Sequence, residues 1–319
     1  MKGLTFTLAS MIALVAGGAH AQDVINIGVQ PATQPIYIAQ AAGFLDEIEK
    51  AHNVEFEFKS FSYGAPENQA MAAGEIQMAS AGMGPAIVAS ARLDAKLIAI
   101  TILDQTAIMV QPDSGIETVA DLKGKTVAYP GKGSQQYPLL LKALSDAGLS
   151  EDDIKLFKTK GSDVGSLLAS GSVDAGVTWD PHVSGALANG SAKVLLTSGK
   201  ILPIKGDHYI GNGFYARNDF MEEYPEVTQA VVEALVRAER LILDDPETAI
   251  DMWAAAVGVP REVIEFSINE GISVYTTDIT PDQETIDAYT GFLKDAKILE
   301  AEDAPKIDTQ FSEKAYDAG

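Results

Sequence analysis

The chain has no cysteine. That absence excludes a disulfide scaffold, a thiol nucleophile, a Cys-ligated zinc or iron–sulfur centre and a lipid anchor on a processed cysteine. Basic side chains are scarce as well: 23 Lys and Arg stand against 45 Asp and Glu, a formal net charge of -22. Nucleic acids and anionic membranes are recognised by clustered Lys and Arg, so neither is an expected partner. Histidine occurs four times, and His20 falls in the N-terminal leader, which leaves His52, His182 and His208. Asp180 with His182 is too isolated a pair for a metal, so no metal and no cofactor are expected. After the leader, no run reaches the roughly 18 apolar residues of a membrane span.

What is present is an ordinary globular composition, 46% hydrophobic and 21% charged over 319 residues, enough for roughly two domains. The start reads as an export signal. Lys2 supplies the positive region, Leu4–Ala16 is apolar and uncharged, and small residues end in Ala19-His20-Ala21. Residues 1–21 are therefore expected to be removed. The mature chain is expected in the periplasm, unanchored.

The mature sequence alternates strand, loop and helix. Val24–Gln30 is β-branched and reads as a strand, followed by a polar loop between Pro31 and Pro35 and a helix over Ile36–Lys50. Val54–Phe61 alternates as a half-exposed strand, and Ser62-Tyr63-Gly64 leads into a helix over Ala65–Ala73. Gly74-Glu-Ile-Gln-Met-Ala79 is a turn and a strand of small residues that runs into Gly82-Met83-Gly84-Pro85 and an Ala-rich helix. Leu97–Leu103 is a fourth strand.

The alternation restarts after Pro112–Gly115, with strands at Thr126–Tyr129, Ile154–Lys158 and Val194–Thr197 and helices at Ser134–Ala147 and Asp163–Ala169. Gly171-Ser-Val-Asp-Ala-Gly176 repeats the role of Gly74–Ala79, and Gly211–Arg217 is a strand placed to cross back. Beyond it the chain is helical: Glu226–Leu243 is amphipathic, and Pro246, Pro260 and Pro281 each open a further helix. The expected fold is α/β in two lobes, each a mainly parallel sheet flanked by helices. Lobe I takes residues 22–106 and 213–319, and lobe II takes 107–212. Two extended crossovers, near 104–112 and 207–217, would make a hinge and a cleft.

One stretch organises this reading: Asp121-Leu-Lys-Gly-Lys-Thr-Val-Ala-Tyr-Pro-Gly-Lys-Gly-Ser-Gln-Gln136. A buried strand, a loop broken by glycines and a helix start near Ser134 present free backbone N–H groups to a small anion. The stretch is neither a nucleotide loop nor a catalytic elbow, because it lacks Gly-Lys-Ser and the closing glycine of Gly-x-Ser-x-Gly. Gly82–Pro85 would be the matching helix start on the other lobe.

In an open α/β sheet, ligands sit outside the carboxyl ends of the strands. Gln34, Tyr63, Gly82, Met83, Gly84, Gln105, Ser134, Gln135, Trp179, Asp180, His208 and Tyr209 all fall at such ends. Most are neutral donors, suited to a small polar anion held without a salt bridge. Plain structural roles stand beside this one: Trp179 as a core plug, Asp180 and Ser134 as helix caps, and His208 with Tyr209 as hinge lining. No catalytic set emerges.

At these residues the chain resembles a known family. Asp121–Ala128, Gly133-Ser134, Gly171-x-Val-Asp-Ala175, Trp179-Asp-Pro181 and Phe44-x-x-Glu47 are similar, in order and spacing, to the periplasmic binding proteins of ABC transporters for sulfonates, taurine and nitrate. The resemblance spans essentially the whole mature chain. It implies a type II periplasmic binding fold, a monomer and no enzyme, closing on a small organic anion or zwitterion and handing it to a membrane permease. It also implies ligand contacts from Gln34, Gly82–Gly84, Gln105, Ser134-Gln135 and Trp179. Lys205–Tyr209 has no clear counterpart; its His208 and Asp207 would suit an amino group, as in taurine. The alternatives are another small anion, such as nitrate or an aromatic carboxylate, and a thiamin-precursor pyrimidine. An enzyme family of this fold builds that pyrimidine from its own pyridoxal phosphate, but it carries a Cys-rich motif absent here.

Overall fold

The β-branched and small-residue runs fold as strands of two separate sheets. The computed structural model describes residues 22–317; the expected leader, residues 1–21, lies outside them. The strands are β1 (Asp23–Val29), β2 (Val54–Ser60), β3 (Met78–Gly82), β4 (Ala95–Asp104), β5 (Thr106–Val110), β6 (Thr126–Tyr129), β7 (Lys155–Lys158), β8 (Ala175–Trp179), β9 (Lys193–Thr197), β10 (Ile210–Arg217) and β11 (Ser273–Val274). The first sheet has the order β11-β4-β10-β3-β1-β2 and the second β7-β6-β8-β5-β9.

The two orders are the same pattern used twice. In each sheet the first strand of the unit (β1, β6) lies between the second (β2, β7) and the third (β3, β8), all parallel. Next comes a strand that crosses over from the other sheet, β10 in the first and β5 in the second, antiparallel to both neighbours. So β1 to β4 share one direction, as do β6 to β9, and the crossover strands run against them. Mainly parallel is thus correct for direction, while the ladder is mixed. The physical reason is the crossing itself: a chain arriving from the other lobe enters each sheet from the carboxyl end. The echo between Gly74–Ala79 and Gly171–Gly176 is explained too, since each leads into the third strand.

Helix boundaries differ from expectation at three informative places. The single helix expected over Ile36–Lys50 is two, Pro35–Ala41 and Phe44–His52, because Gly43 takes a left-handed φ of 77° between them. The helix carrying Pro85 starts earlier, at Met83, which makes Pro85 its third residue. The helix expected to begin near Ser134 spans Gln136–Asp146. The long amphipathic helix, Pro225–Asp244, packs Val227, Val231, Ala234, Leu235 and Ala238 onto the first sheet. Another apolar cluster runs without interruption from Met83 and Ile100 in one lobe to Ile108, Val127 and Leu139 in the other.

The first crossing is tightly bent. Asp104 and Gln105 both adopt left-handed φ, 65° and 73°, at a cost of about 1–3 kcal/mol each. Flanking bonds hold the bend: the N–H of Asp104 donates to the Tyr209 carbonyl at 2.8 Å, and that of Gln105 to the Ile272 carbonyl at 2.9 Å. The result turns the Gln105 side chain out of the β4–β5 path.

Candidate functional site

Where the parallel strands of both sheets end, their loops meet. Gln30 follows β1, Gly82 closes β3, Gln105 follows β4, Ser134, Gln135 and Gln136 follow β6, and Trp179 closes β8. With Ala32, Tyr63, Gly64, Pro85 and Asn212 they enclose one cavity between the lobes. Not one lining side chain is charged. Free space is small, about 10 Å³ for the centre of a water-sized sphere, room for about one water. A ligand of even two carbons requires the lobes to part or Gln135 to swing aside. A larger groove of about 520 Å³, lined by Lys96, Met221, Glu226 and Gln229, is open to solvent and lies at the amino end of β4.

Glycines let the lobes approach so closely. A methyl group on Gly82 would stand 2.9 Å from Gln135 Oε1, and one on Gly84 3.5 Å from Gln135 Cα. The two helix starts, Met83 and Gln136, therefore face each other across the cleft. On the same front, a methyl on Gly133 would overlap the Ala65 side chain of the opposite lobe. Gly133 has no left-handed φ to defend, so Gly133→Ala strains the closed approach and not the local backbone. It is expected to weaken binding of a cleft ligand by about tenfold or more, the 1–3 kcal/mol of an overpacked contact. Melting without ligand should stay close to wild type. Unchanged affinity would show that closure at Gly133 is not part of binding.

Buried polar groups are normally paired. Here both carboxamide atoms of Gln135 and the Oε1 of Gln105 have no partner, although both residues are at most 3% exposed. Gln105 Nε2 donates to the Gly211 carbonyl at 2.9 Å, which fixes the side chain with its oxygen free. Gln136 Nε2 donates to Thr106 Oγ1 at 3.1 Å and Asn212 Nδ2 to Ser80 Oγ at 2.9 Å. Ser134 is not a helix cap: its hydroxyl donates to the Gly131 carbonyl at 2.7 Å, inside the loop. Trp179 is 4% exposed, meets His182 edge-on at 5.3 Å and donates from Nε1 to the Pro31 carbonyl at 3.2 Å. It both plugs the interlobe contact and faces the cavity.

Of the residues picked from sequence, the structure brings Tyr63, Gly82, Gln105, Ser134, Gln135 and Trp179 to the cavity. The other six are placed elsewhere. Gln34 stands behind the wall, donating to the Ser80 carbonyl at 2.7 Å. Met83 is buried in the core, and Gly84 lies on the first turn of its helix against Gln135. His208 pairs through Nδ1 with Asp104 Oδ2 at 2.6 Å, at the hinge. Tyr209 is buried with its hydroxyl on that of Tyr289.

Asp180 is also fully buried. Its Oδ1 accepts from Ser184 N at 3.0 Å and Ser184 Oγ at 2.5 Å, and its Oδ2 from the Ser267 and Ser273 hydroxyls. Burial raises its pKa and these donors oppose the shift. So Asp180, one residue before the N-cap Pro181, accepts the Ser184 N–H in the first turn of the helix that follows and ties that lobe to the C-terminal segment of the other.

Sequence reasoning missed Gln30, Ala32, Gly64, Pro85, Gln136 and Asn212. Gln30 obeyed the rule that selected Gln34, since it directly follows β1. Asn212, flanked by Gly211 and Gly213 in a crossover strand, was also legible as a polar side chain at a close approach.

The chain can now be set beside known proteins. The profile of the NMT1/THI5 like family matches residues 30–249. A curated Escherichia coli (strain K12) protein named for binding aliphatic sulfonates is 30% identical over 261 residues, 81% of this chain and 79% of that one. The taurine-binding periplasmic protein of the same organism is 25% identical, over 88% of this chain and 85% of its own. Among solved structures, the alkanesulfonate-binding protein SsuA from Xanthomonas axonopodis pv. citri bound to MOPS superposes with a TM-score of 0.73 at 25% identity, covering 89% of this chain and 94% of that one.

Proposed function

The chain belongs to the NMT1/THI5-like family, among relatives named as solute-binding proteins, and from that premise we propose that it captures a small sulfonate between its lobes. The single observation that carries the reading is the cavity: uncharged, ringed by carboxamides, with buried amide atoms of Gln105 and Gln135 left without partners. Unpartnered donors suit the three oxygens of a sulfonate, and unpartnered acceptors suit an ammonium group. A zwitterion of the taurine type uses both kinds. Tyr63, Gly82, Gln105, Ser134, Gln135 and Trp179, joined by Gln30 and Asn212, form the ligand set. In a chain of net charge -22, an anion must be held by local dipoles and not by long-range attraction.

The lobes are residues 22–106 with 213–319, and 107–212, and they close over the ligand. Residues 1–21 direct export, the mature protein works in the periplasm, and the loaded form delivers its ligand to an ABC-transporter permease. Among the described residues, no helix is long and apolar enough to cross a membrane.

A thermal-shift screen across taurine, ethanesulfonate, sulfate esters, nitrate and carboxylates tests the reading. At about 100 Kd a bound ligand adds about 2.7 kcal/mol of stability, several degrees in melting temperature for a protein this size. Taurine or an alkanesulfonate should give the largest shift. A shift with nitrate or carboxylates and none with any sulfonate assigns a different ligand class.

A further inference from the structure

Directly behind the cavity wall lies a carboxyl group that binding does not use. Glu67, in the helix Gly64–Ala72, is 0% exposed. Its Oε2 accepts from Gln30 Nε2 at 2.6 Å, and its Oε1 has no partner at all. Gln30 in turn lines the cavity, and its backbone is held at both ends. Its N–H donates to Gln34 Oε1 at 3.4 Å, and its carbonyl accepts from the Tyr37 hydroxyl at 3.0 Å. What the backbone bonds leave free is the carboxamide, whose amino end is on Glu67 in a side chain that lines the cavity.

A carboxamide has a donor end and an acceptor end. An ionised Glu67 can only accept, so it takes the amino end of Gln30 and leaves the oxygen facing the cleft. A protonated Glu67 donates its O–H to the Gln30 oxygen once the amide has turned by half a rotation, which leaves the amino end facing the cleft. We propose that the protonation state of Glu67 sets which end of Gln30 meets the ligand, and so admits a sulfonate when Glu67 is neutral and disfavours it when Glu67 is charged. This inference rests on the sulfonate reading above and adds a positioning residue to it.

In the structure the amino end of Gln30 is on Glu67, the orientation of the ionised acid, while burial favours the neutral one. Burial, opposed only by the Gln30 bond, pushes the Glu67 carboxyl up to about 8. The titratable groups that face it are Tyr37 from the helix Pro35–Ala41 and Tyr215 from β10. Both hydroxyls are raised above their ordinary value by burial, and both are hydrogen-bonded, Tyr37 to Gln30 and Tyr215 to Asn68 Oδ1 at 2.6 Å. They stay neutral throughout the range in question. Among the described residues, no Lys, Arg or second carboxylate acts on Glu67.

The experiment is calorimetric binding of ethanesulfonate, a probe with no group that titrates between pH 6 and pH 9.5. Wild-type affinity should fall about tenfold from pH 7 to pH 9, the factor by which a group titrating near 8 loses its protonated fraction. Near pH 8, titrations in two buffers of different ionisation enthalpy should show net proton uptake on binding. Glu67→Gln keeps the shape, cannot ionise and should bind with less than a twofold change over the same range. A flat wild-type profile, zero proton uptake, or the same slope in Glu67→Gln overturns the inference while leaving the sulfonate reading intact. Should Glu67→Gln fail to fold, the proton uptake of the wild type decides alone. Absence of binding by ethanesulfonate and taurine at every pH removes the sulfonate reading and this inference together.

Discussion

Asp180→Ala is expected to lower the melting temperature by roughly 4–6 °C, the equivalent of about 3 kcal/mol in a protein of this size. The carboxyl is the acceptor for Ser184 N and the hydroxyls of Ser184, Ser267 and Ser273. Removing it leaves these buried donors without a partner, and each orphan costs about 1–3 kcal/mol before relaxation. The hydroxyls can rotate toward other acceptors, but Ser184 N cannot. Asp180→Asn separates the two parts of the effect. It keeps Oδ1 for Ser184, and its amino group can donate to serine hydroxyls that accept as readily as they donate. Its loss should stay near 1 kcal/mol. An alanine variant that melts within two degrees of wild type would show that the network is not a structural tie. The measurement is a thermal melt followed by circular dichroism, without ligand, on all three proteins.

Trp179→Ala should weaken sulfonate binding by about 30-fold or more, the 2 kcal/mol of a residue that dominates an interface. Two effects combine. The indole walls the cavity, so its loss removes contact area from any ligand there. Its N–H also bonds the Pro31 carbonyl across the lobes, so closure loses a tie at the same time. Gly161 keeps the ring in place, because a methyl there would come within 2.6 Å of it. Trp179→Phe retains most of the ring and drops the N–H, and its loss should be several-fold smaller. Titration of taurine and ethanesulfonate into each variant, beside a melt without ligand, checks this. If affinity holds within twofold while stability falls, Trp179 serves the interlobe core alone.

Much of this molecule is legible in its sequence. The alternation of strands and helices follows from hydrophobic period and turn chemistry, both local. The two crossovers were marked by extended segments at the right distances, and β5 and β10 occupy them. Errors of extent had local causes as well: Gly43 divides a helix whose apolar pattern runs on, because φ at one residue outweighs periodicity around it. The six candidates that line the cavity came from one rule, that polar residues at strand ends line a crevice. That rule is indifferent to which way a side chain turns. It therefore chose Tyr209, which faces Tyr289, and His208, which faces Asp104, as readily as Gln135.

By itself the sequence determined that the chain has no thiol and an excess of acidic residues, and it marked an α/β frame whose strand ends carry neutral donors. Those conclusions depend on residue type and local spacing, which tertiary contacts do not alter. Only the tertiary structure decided how each polar group is used. Asp180 was a candidate for the ligand, yet the hydroxyls of Ser184, Ser267 and Ser273 take up its hydrogen bonds. Gln105 and Gln135 had no stronger signal, but packing buries them with amide atoms left over. Hydrogen-bond satisfaction is a sum over partners brought from far along the chain, from Ser273 to Asp180 and from Glu67 to Gln30. Folding alone assembles that sum.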